Sequence, residues 1–569
     1  MSRLRDRYTK NVDVEEVLLD ASNIPAFNRA RMEGKRELPI TKRNVRTVWF
    51  IFLLIAAAFI TQIYSLQIVK GDEYLQVAEN NSVNQSLIIA ERGVVYDRRG
   101  EMMVWNEVDK TGEYSFPIRA YTDRRGLGQV LGYVSYPKKD KRGYYFRTDY
   151  LGRSGVELAF DDLLKGQNGS KISEVDALSD VISDSAIDAP VEGGAITLSI
   201  DAELSEAMYS IIEAASEKAG FRSGAAAIMD VNTGEILALT SYPSFDPEVM
   251  ADGDDTKLIN EYNNDDRLPF LNKVIGGAYT PGSIVKPFVA YAALENKIIS
   301  PDKVIVSNGF ILVPNKYDPT HPTRFNDWRV QGPMTMREAI AFSSNVYFYI
   351  IGGGFGDQPG LGITKMAENY RRFGFGETTG VNLAQEQAGV VPDPEWKKKT
   401  FDDDWRLGDT YHTAIGQFGF LVTPIQMLRA YAALANDGYL VEPHAVAGKQ
   451  GKKTDLGIDQ HLMQIVHEGM RKTVTLNGGT ARPLERDDVA IAAKSGTAEV
   501  GIGNAYVNSW AAGFWPYKDP KYSFILMMDK APRSNALGAT KIMGEVVQWM
   551  SEKRPEYLGI ATSTEDESL

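Results

Sequence analysis

Charge disappears from the chain between Arg46 and Lys70, and the 23 residues from Thr47 to Val69 hold an apolar centre, Phe50 to Ile60. An aromatic residue lies near each end of this stretch, Trp49 and Tyr64. About 20 apolar residues at about 1.5 Å each cover a hydrocarbon core of about 30 Å, and Trp and Tyr suit the two interfaces. The pattern predicts one transmembrane helix over 47–69. A cleaved signal peptide would set a shorter apolar run behind a short basic start, whereas 46 residues precede this one. The expectation is an uncleaved signal anchor.

Beyond the span, residues 70–195 show short strand-like runs (Ser86–Ile89, Val94–Tyr96), a turn at Asp97–Gly100 and basic, Tyr/Gly-rich loops around 137–153. This predicts an elongated, strand-rich spacer rather than a catalytic core. Alternation of period two then sharpens at Ala195–Ile200, Ala225–Met229 and Ile236–Leu239, with a helical stretch at Leu204–Lys218. Helical periodicity dominates from about 284 to 440. Strand patterns return at Val489–Ala493, Asn508–Phe514 and Tyr522–Met528, and a helix is predicted over 540–551. Strands at both ends with helices between them predict one α+β domain over 196–555, its sheet drawn from both ends of the segment. Residues 556–569 read as a flexible, solvated tail.

Composition narrows the chemistry. Hydrophobic residues are 43% and charged residues 24%, which fits a globular chain and excludes global disorder. There is no cysteine, which removes disulfides, thiol nucleophiles and Cys-ligated metals. The net charge of −13 argues against nucleic acid as partner. Residues 1–46 run the other way, with eleven Lys/Arg against seven Asp/Glu, and Lys42, Arg43 and Arg46 abut the span. That asymmetry predicts a cytoplasmic amino terminus and an extracytoplasmic remainder.

The segment that carries chemistry is Thr280-Pro281-Gly282-Ser283-Ile284-Val285-Lys286-Pro287, followed by an apolar run. Ser283 and Lys286 are three apart and share a helical face. A serine at a helix start can offer its own N–H to an oxyanion. Lys286 serves as a base only when neutral, which requires burial or a nearby cation. Alone this spacing is weak, and Ser300-Pro301-Asp302-Lys303 repeats it with no apolar helix behind. Two further segments change its weight. Ser343-Ser344-Asn345 lies amid apolar and aromatic residues, where polar side chains need partners. Lys494-Ser495-Gly496-Thr497 follows the apolar run Val489–Ala493, and a glycine there permits close approach of another backbone.

In this order, Ser-x-x-Lys, Ser-x-Asn and Lys-Ser-Gly-Thr form the set shared by penicillin-binding proteins and class A β-lactamases. The chain resembles a class B penicillin-binding protein from the anchor to about residue 550. Glu91-Arg92-Gly93 with Tyr96–Gly100, and Leu151–Glu157, resemble landmarks of that family's pedestal. Glu395-Trp396-Lys397, Gly408-Asp409-Thr410, Ile415-Gly416-Gln417 and Thr423–Met427 are most similar to penicillin-binding protein 2, the elongation-type branch; the division-type branch matches this stretch less well. Two departures stand out: Asn345 where that branch often has Asp, and a short segment at about 101–150, which predicts a reduced outer head.

The resemblance implies a penicillin-binding/β-lactamase-like fold, antiparallel sheet with helices, and D,D-transpeptidation of peptidoglycan stem peptides without a cofactor or metal. It implies Ser283 as nucleophile, Lys286 as its base, Ser343 as proton relay and Asn345 as a hold on Lys286 and the substrate amide. Lys494 would supply positive potential, with Ser495, Gly496 and Thr497 lining the substrate and Thr497 N–H completing the oxyanion hole. It also implies acylation by β-lactams, a place in the bacterial cell (inner) membrane, and a polytopic lipid-II polymerase of the elongation machinery as partner. A β-lactamase reading would need a deacylating Glu, for which the sequence offers no convincing candidate. A non-catalytic penicillin-binding scaffold is the remaining alternative.

Other features read as structural. Ile351–Gly356 is a turn rather than a phosphate loop, and His461 and His467 do not share a helical face. His412 could line the cleft by its position within the resembling stretch, but reads more simply as a core or surface histidine. Asp402-Asp403-Asp404 reads as a solvated loop.

Overall fold

The computed structural model describes residues 41–74, 83–110, 112, 114–141, 145–175, 181–315, 318, 320–535 and 537–560. The expected amino-terminal tail therefore falls outside the described residues up to position 40, as do positions 561–569 of the expected carboxy-terminal tail. Helix α1 (Lys42–Tyr64) starts at Thr41, whose side chain accepts from Asn44 N, and continues as a π-helical turn over Ser65–Val69. The two together form one helix of 28 residues, long and apolar enough to cross a membrane, with mean hydropathy 2.0 over its 18-residue apolar window.

Contacts divide the chain into two compact units, one of residues 1–86 and 172–185, the other of residues 87–171 and 186–569. Strands β1 (Val83–Ile88), β5 (Gly169–Val175) and β6 (Val181–Asp188) form a three-stranded sheet in the order β1-β5-β6. A four-stranded sheet, β7-β2-β3-β4, joins β2 (Val95–Tyr96), β3 (Met102–Glu107), β4 (Ile118–Tyr121) and β7 (Ile196–Thr197). Its surroundings are fixed by buried charge. Glu157 accepts from Arg92 Nε at 2.5 Å and from Arg119 Nε at 2.8 Å, all three side chains fully buried. Two of the landmark motifs thus meet in one ion-pair cluster, and Arg92 also reaches Asp161 at 2.7 Å.

The larger element is a five-stranded antiparallel sheet in the order β9-β8-β16-β15-β14. It comprises β8 (Ser223–Asp230), β9 (Ile236–Tyr242), β14 (Ala492–Val500), β15 (Tyr506–Trp515) and β16 (Tyr522–Pro532). Both ends of the segment contribute, as the alternation predicts. The period of two sends Ala225, Ala227 and Met229 into one hydrophobic cluster and Ala226 and Ile228 into the other. On the second side pack α2 (Ala202–Ala219) and a carboxy-terminal helix, through Leu204, Met208 and Ile212 against Ile542, Val546 and Met550. Asp201 caps α2 by accepting from Leu204 N, and Gly220 closes it at φ 71.

The first side carries the helical layer. It contains α3 (Lys286–Glu295), α4 (Met336–Phe342), α5 (Asn345–Gly353), α6 (Pro394–Phe401), α7 (Leu407–Ala414) and α8 (Pro424–Ala435), and α9 (Ala539–Lys553) is the helix behind the sheet. Helix α3 is buried all round, from Lys286 to Leu294, which makes it the axis of this layer.

Several expectations change. The run dominated by helical periodicity also contains four short strands, β10 (Ile305–Ser307), β11 (Phe310–Val313), β12 (Thr323–Asn326) and β13 (Gly332–Met334). Three or four residues are too few to impose a visible period. The strand placed at Val489–Ala493 begins at Ala492 and runs to Val500, so Lys494–Thr497 lie inside it rather than after it. The solvated tail expected from 556 also begins later. Residues Pro555–Leu558 form a 3-10 turn with Tyr557 and Leu558 buried, and Tyr557 Oη donates to Asp201 at 2.8 Å. The acidic run is more than a solvated loop: Lys397, 4% exposed, donates to Asp403 at 2.9 Å, Asp409 at 2.7 Å and Asp404 O at 2.7 Å.

Candidate active site

Ser283 sits in a 3-10 turn, Gly282–Val285, that leads directly into α3. In such a turn residues three apart eclipse, so Ser283 and Lys286 align more directly than α-helical spacing gives. Pro287 follows in the first turn, where its missing N–H leaves no gap in the helix. The turn needs two glycines. Gly282 has φ +60, and a Cβ there would lie 2.7 Å from Thr497 O. A Cβ on Gly496 would lie 2.9 Å from Ile284 Cγ2 and 3.0 Å from Pro281 O. Strand β14 therefore rests on the serine turn, backbone against backbone, with Thr497 beside Ser283's own peptide. Two further bonds pin the turn: Trp510 Nε1 to Thr280 O at 3.0 Å and Tyr431 Oη to Ile284 O at 2.7 Å.

Lys286 is fully buried, and its Nζ donates to Ser343 O at 2.7 Å, Asn345 Oδ1 at 2.8 Å and Ser343 Oγ at 3.3 Å. Burial pushes its pKa down to about 7, with the Asp327 carboxylate pulling the other way. Neutrality thus comes first from desolvation rather than from a neighbouring cation. Lys494 is fully buried too and donates to Ser495 O at 2.9 Å. Burial holds it well below the ordinary lysine range, and the charge of Lys286 adds to that.

The middle motif is a junction. Ser343 ends α4 in the left-handed region, φ 56, and Ser344 caps α5 by accepting from Tyr347 N. A non-glycine residue held there signals a surrounding that dictates its geometry. That surrounding is Asp327, a residue sequence reasoning missed. Its Oδ1 accepts from Asn345 N at 2.9 Å, Trp328 N at 2.9 Å and Gln331 Nε2 at 3.0 Å. Its Oδ2 accepts from Ser344 Oγ at 2.6 Å, Ser307 Oγ at 2.9 Å and Val346 N at 3.2 Å. One aspartate thereby orients the residues that hold Lys286.

Ser283, Ser343, Asn345, Ser495, Gly496 and Thr497 line a single cleft of about 1130 Å³, so the three motifs converge. Ser495 Oγ is tied to Thr480 Oγ1 at 2.6 Å, and Thr497 is exposed on the edge strand. The repeat of the first motif does not join them: Ser300 is exposed and Lys303 bonds Gln358 at 2.7 Å. The far wall is aromatic, with Phe325, Trp328, Tyr349 and Phe418. His412 belongs to that wall rather than to core or open surface, and burial lowers its pKa while Asp409 opposes.

Residues 224–548 match the family model described as the penicillin binding protein transpeptidase domain. The chain belongs to this transpeptidase family. Residues 113–198 match the penicillin-binding protein dimerisation domain. The peptidoglycan D,D-transpeptidase MrdA of Haemophilus influenzae is 25% identical over 639 residues, covering 94% of this chain and 95% of that protein. Penicillin-binding protein 2 from Helicobacter pylori, solved in complex with MreC, is 26% identical with TM-score 0.69, over 83% of this chain and 99% of that one. A chain of a peptidoglycan synthase complex, described as coordinating polymerization and crosslinking, is 25% identical with TM-score 0.69, over 92% of this transpeptidase and 100% of that chain.

Proposed function

We propose that the protein is an elongation-type peptidoglycan D,D-transpeptidase that works through an acyl-enzyme on Ser283. The observation that carries this reading is the buried Lys286, held by Ser343 and Asn345 beside the cleft that Ser283 lines. Neutral Lys286 takes the Ser283 Oγ proton as that oxygen attacks the penultimate D-Ala carbonyl of a donor stem peptide. Negative charge on the carbonyl oxygen meets the N–H groups of Ser283 and Thr497, each such donor contributing about 2.7–4 kcal/mol in comparable acyl-transfer sites. Collapse breaks the peptide C–N bond, and Ser343 passes the proton from Lys286 to the departing D-Ala amine. Asn345 holds Lys286 and the substrate amide, Lys494 supplies positive potential towards the terminal carboxylate, whose own charge favours the ammonium form that burial disfavours, and Ser495 and Gly496 line the donor peptide's path. An acceptor amine then attacks the acyl carbon, the ester C–O bond breaks, and Ser283 regains its proton.

The basic flank of α1 supports a cytoplasmic amino terminus and a catalytic body outside the inner membrane. The likeness to a synthase complex and to a penicillin-binding protein 2 solved with MreC supports partners in the elongation machinery, a polytopic lipid-II polymerase among them. The decisive experiment follows a fluorescent penicillin on the full chain by gel and peptide mass, beside Ser283→Ala. A stable adduct on the Ser283 peptide, lost in the variant, is the expected result. Rapid drug turnover would replace transpeptidation by hydrolysis, and no adduct together with no transfer from a stem peptide would leave a scaffold.

A further inference from the structure

The acceptor's nitrogen arrives in water as an ammonium and ends as an amide N–H. It therefore sheds two protons while forming one bond to carbon. One of them replaces the proton on Ser283 Oγ when the ester bond breaks, and on the reading above Lys286 and Ser343 carry it. The other has no destination in that relay, because Lys286 must be neutral to collect the first. Either the acceptor enters as its small free-amine fraction, or a second base, neutral near pH 7 and open to the cleft, takes this proton.

Among the described acidic residues of the cleft, none is free for the task. Asp327 already accepts six hydrogen bonds, three on each oxygen. Glu499 is paired with Arg533 at 2.8 Å and also accepts from Asn504 at 2.9 Å. His412 differs. It stands on α7 in the wall formed with β12 and α5, while β14 and its Lys-Ser-Gly-Thr run form the other side of the cleft. The imidazole is wedged between Phe325 (centroids 5.6 Å apart) and Tyr349 (6.5 Å). Among the described residues no hydrogen bond engages either ring nitrogen. The charged groups around it are Asp409 on its own helix, bound to Lys397 at 2.7 Å, Arg324 and Asp327 from β12 and its end, and the Glu499–Arg533 pair across the cleft. The helix itself is registered to the nucleophile, since Gly416, four residues on, accepts from Gly282 N at 2.9 Å.

We propose that His412 is the acceptor-side base: an imidazole nitrogen takes the first proton from the acceptor ammonium and leaves the neutral amine to attack the Ser283 ester. The step forms one N–H bond on His412 and breaks one on the ammonium, with the proton lost to water once the product leaves. Burial, which lowers the imidazole's pKa against the pull of Asp409, keeps the ring unprotonated and ready to accept. This inference rests on the transpeptidase reading above.

The test uses the full chain in detergent with a soluble donor peptide ending in D-Ala-D-Ala and two acceptors. One is a D-amino acid, an ammonium at pH 7; the other is hydroxylamine, already neutral there. In His412→Asn and His412→Gln, transfer to the D-amino acid should fall on the order of 100-fold. Transfer to hydroxylamine and penicillin labelling of Ser283 should stay within about twofold. Equal losses with both acceptors, no loss with either, or slowed penicillin labelling would each overturn the assignment. An unaltered chain that neither takes a penicillin label nor transfers the donor peptide to either acceptor would instead sink the transpeptidase reading.

Discussion

Gly282 and Gly416 meet backbone to backbone: Gly282 N donates to Gly416 O at 2.9 Å, and a Cβ on Gly416 would fall 2.1 Å from Gly282 O. Gly416 also has φ +76, so any side chain there is both strained and in collision. Because Gly282 precedes Ser283, the collision is transmitted to the nucleophile. Gly416→Ala should slow penicillin acylation by about 100-fold or more, the scale of a misplacement of about 1 Å. Stopped-flow labelling against thermal unfolding checks this. A variant that acylates at the normal rate removes Gly416 from the account.

The acylation rate should rise with pH through about 7, the value to which burial pushes Lys286. Below it the amine is protonated and cannot take the serine proton. Asp327 pulls this pKa upward, so Asp327→Asn should move the midpoint to lower pH. The same variant should cut the plateau rate 10- to 100-fold as a rough scale, since Ser344 and Asn345 lose the anion that orients them. A lowered plateau with an unmoved midpoint would detach Asp327 from the electrostatics and leave it a tether.

Lys494 carries its folding cost in protons. Unfolded lysine titrates near 10.4, while burial holds the folded one well below that range. Between the two values the unfolded chain binds more protons, so stability rises with pH. Lys494→Met should raise the unfolding temperature at pH 7, with the gain shrinking towards pH 10, while acylation is lost. An unfolding temperature that drops at pH 7 would show that the ammonium is a net asset to the fold.

Glu157 holds two buried arginines, Arg92 and Arg119. Glu157→Ala leaves both without their shared anion, and breaking such a pair costs roughly 3–5 kcal/mol. Chemical denaturation should register that loss. A change under about 1 kcal/mol would mean that Asp161 and backbone carbonyls take over the arginines.

The three motifs were legible because each has fixed spacing and an apolar frame, and the structure converges their residues on one cleft. The sheet built from both chain ends was legible from alternation at 225–239 and 508–528. Asp327 was not, since a single aspartate leaves no pattern and its importance lies in six donors, four of them from Ser344, Asn345, Val346 and Ser307. Strands β10 to β13 were hidden by their brevity. His412 gave a signal, its place between Gly408-Asp409-Thr410 and Ile415-Gly416-Gln417, but nothing in the sequence marks which ring neighbours a histidine acquires. The Asp402–Asp404 run misled because composition does not reveal that Lys397 is buried nearby.

The order β9-β8-β16-β15-β14 interleaves early and late strands, and this sets a timetable for synthesis. When residue 491 leaves the ribosome, Ser283, Lys286, Ser343 and Asn345 have all been made, yet β8 still lacks the neighbour that will separate it from the edge. The serine turn still lacks the strand that rests on it in the finished fold, and the position that Thr497 will fill is open to water. Pairings so distant in sequence form late. An incomplete nascent chain thus holds the nucleophile and its lysine without the means to use them, and competence arrives at once with the last hairpin.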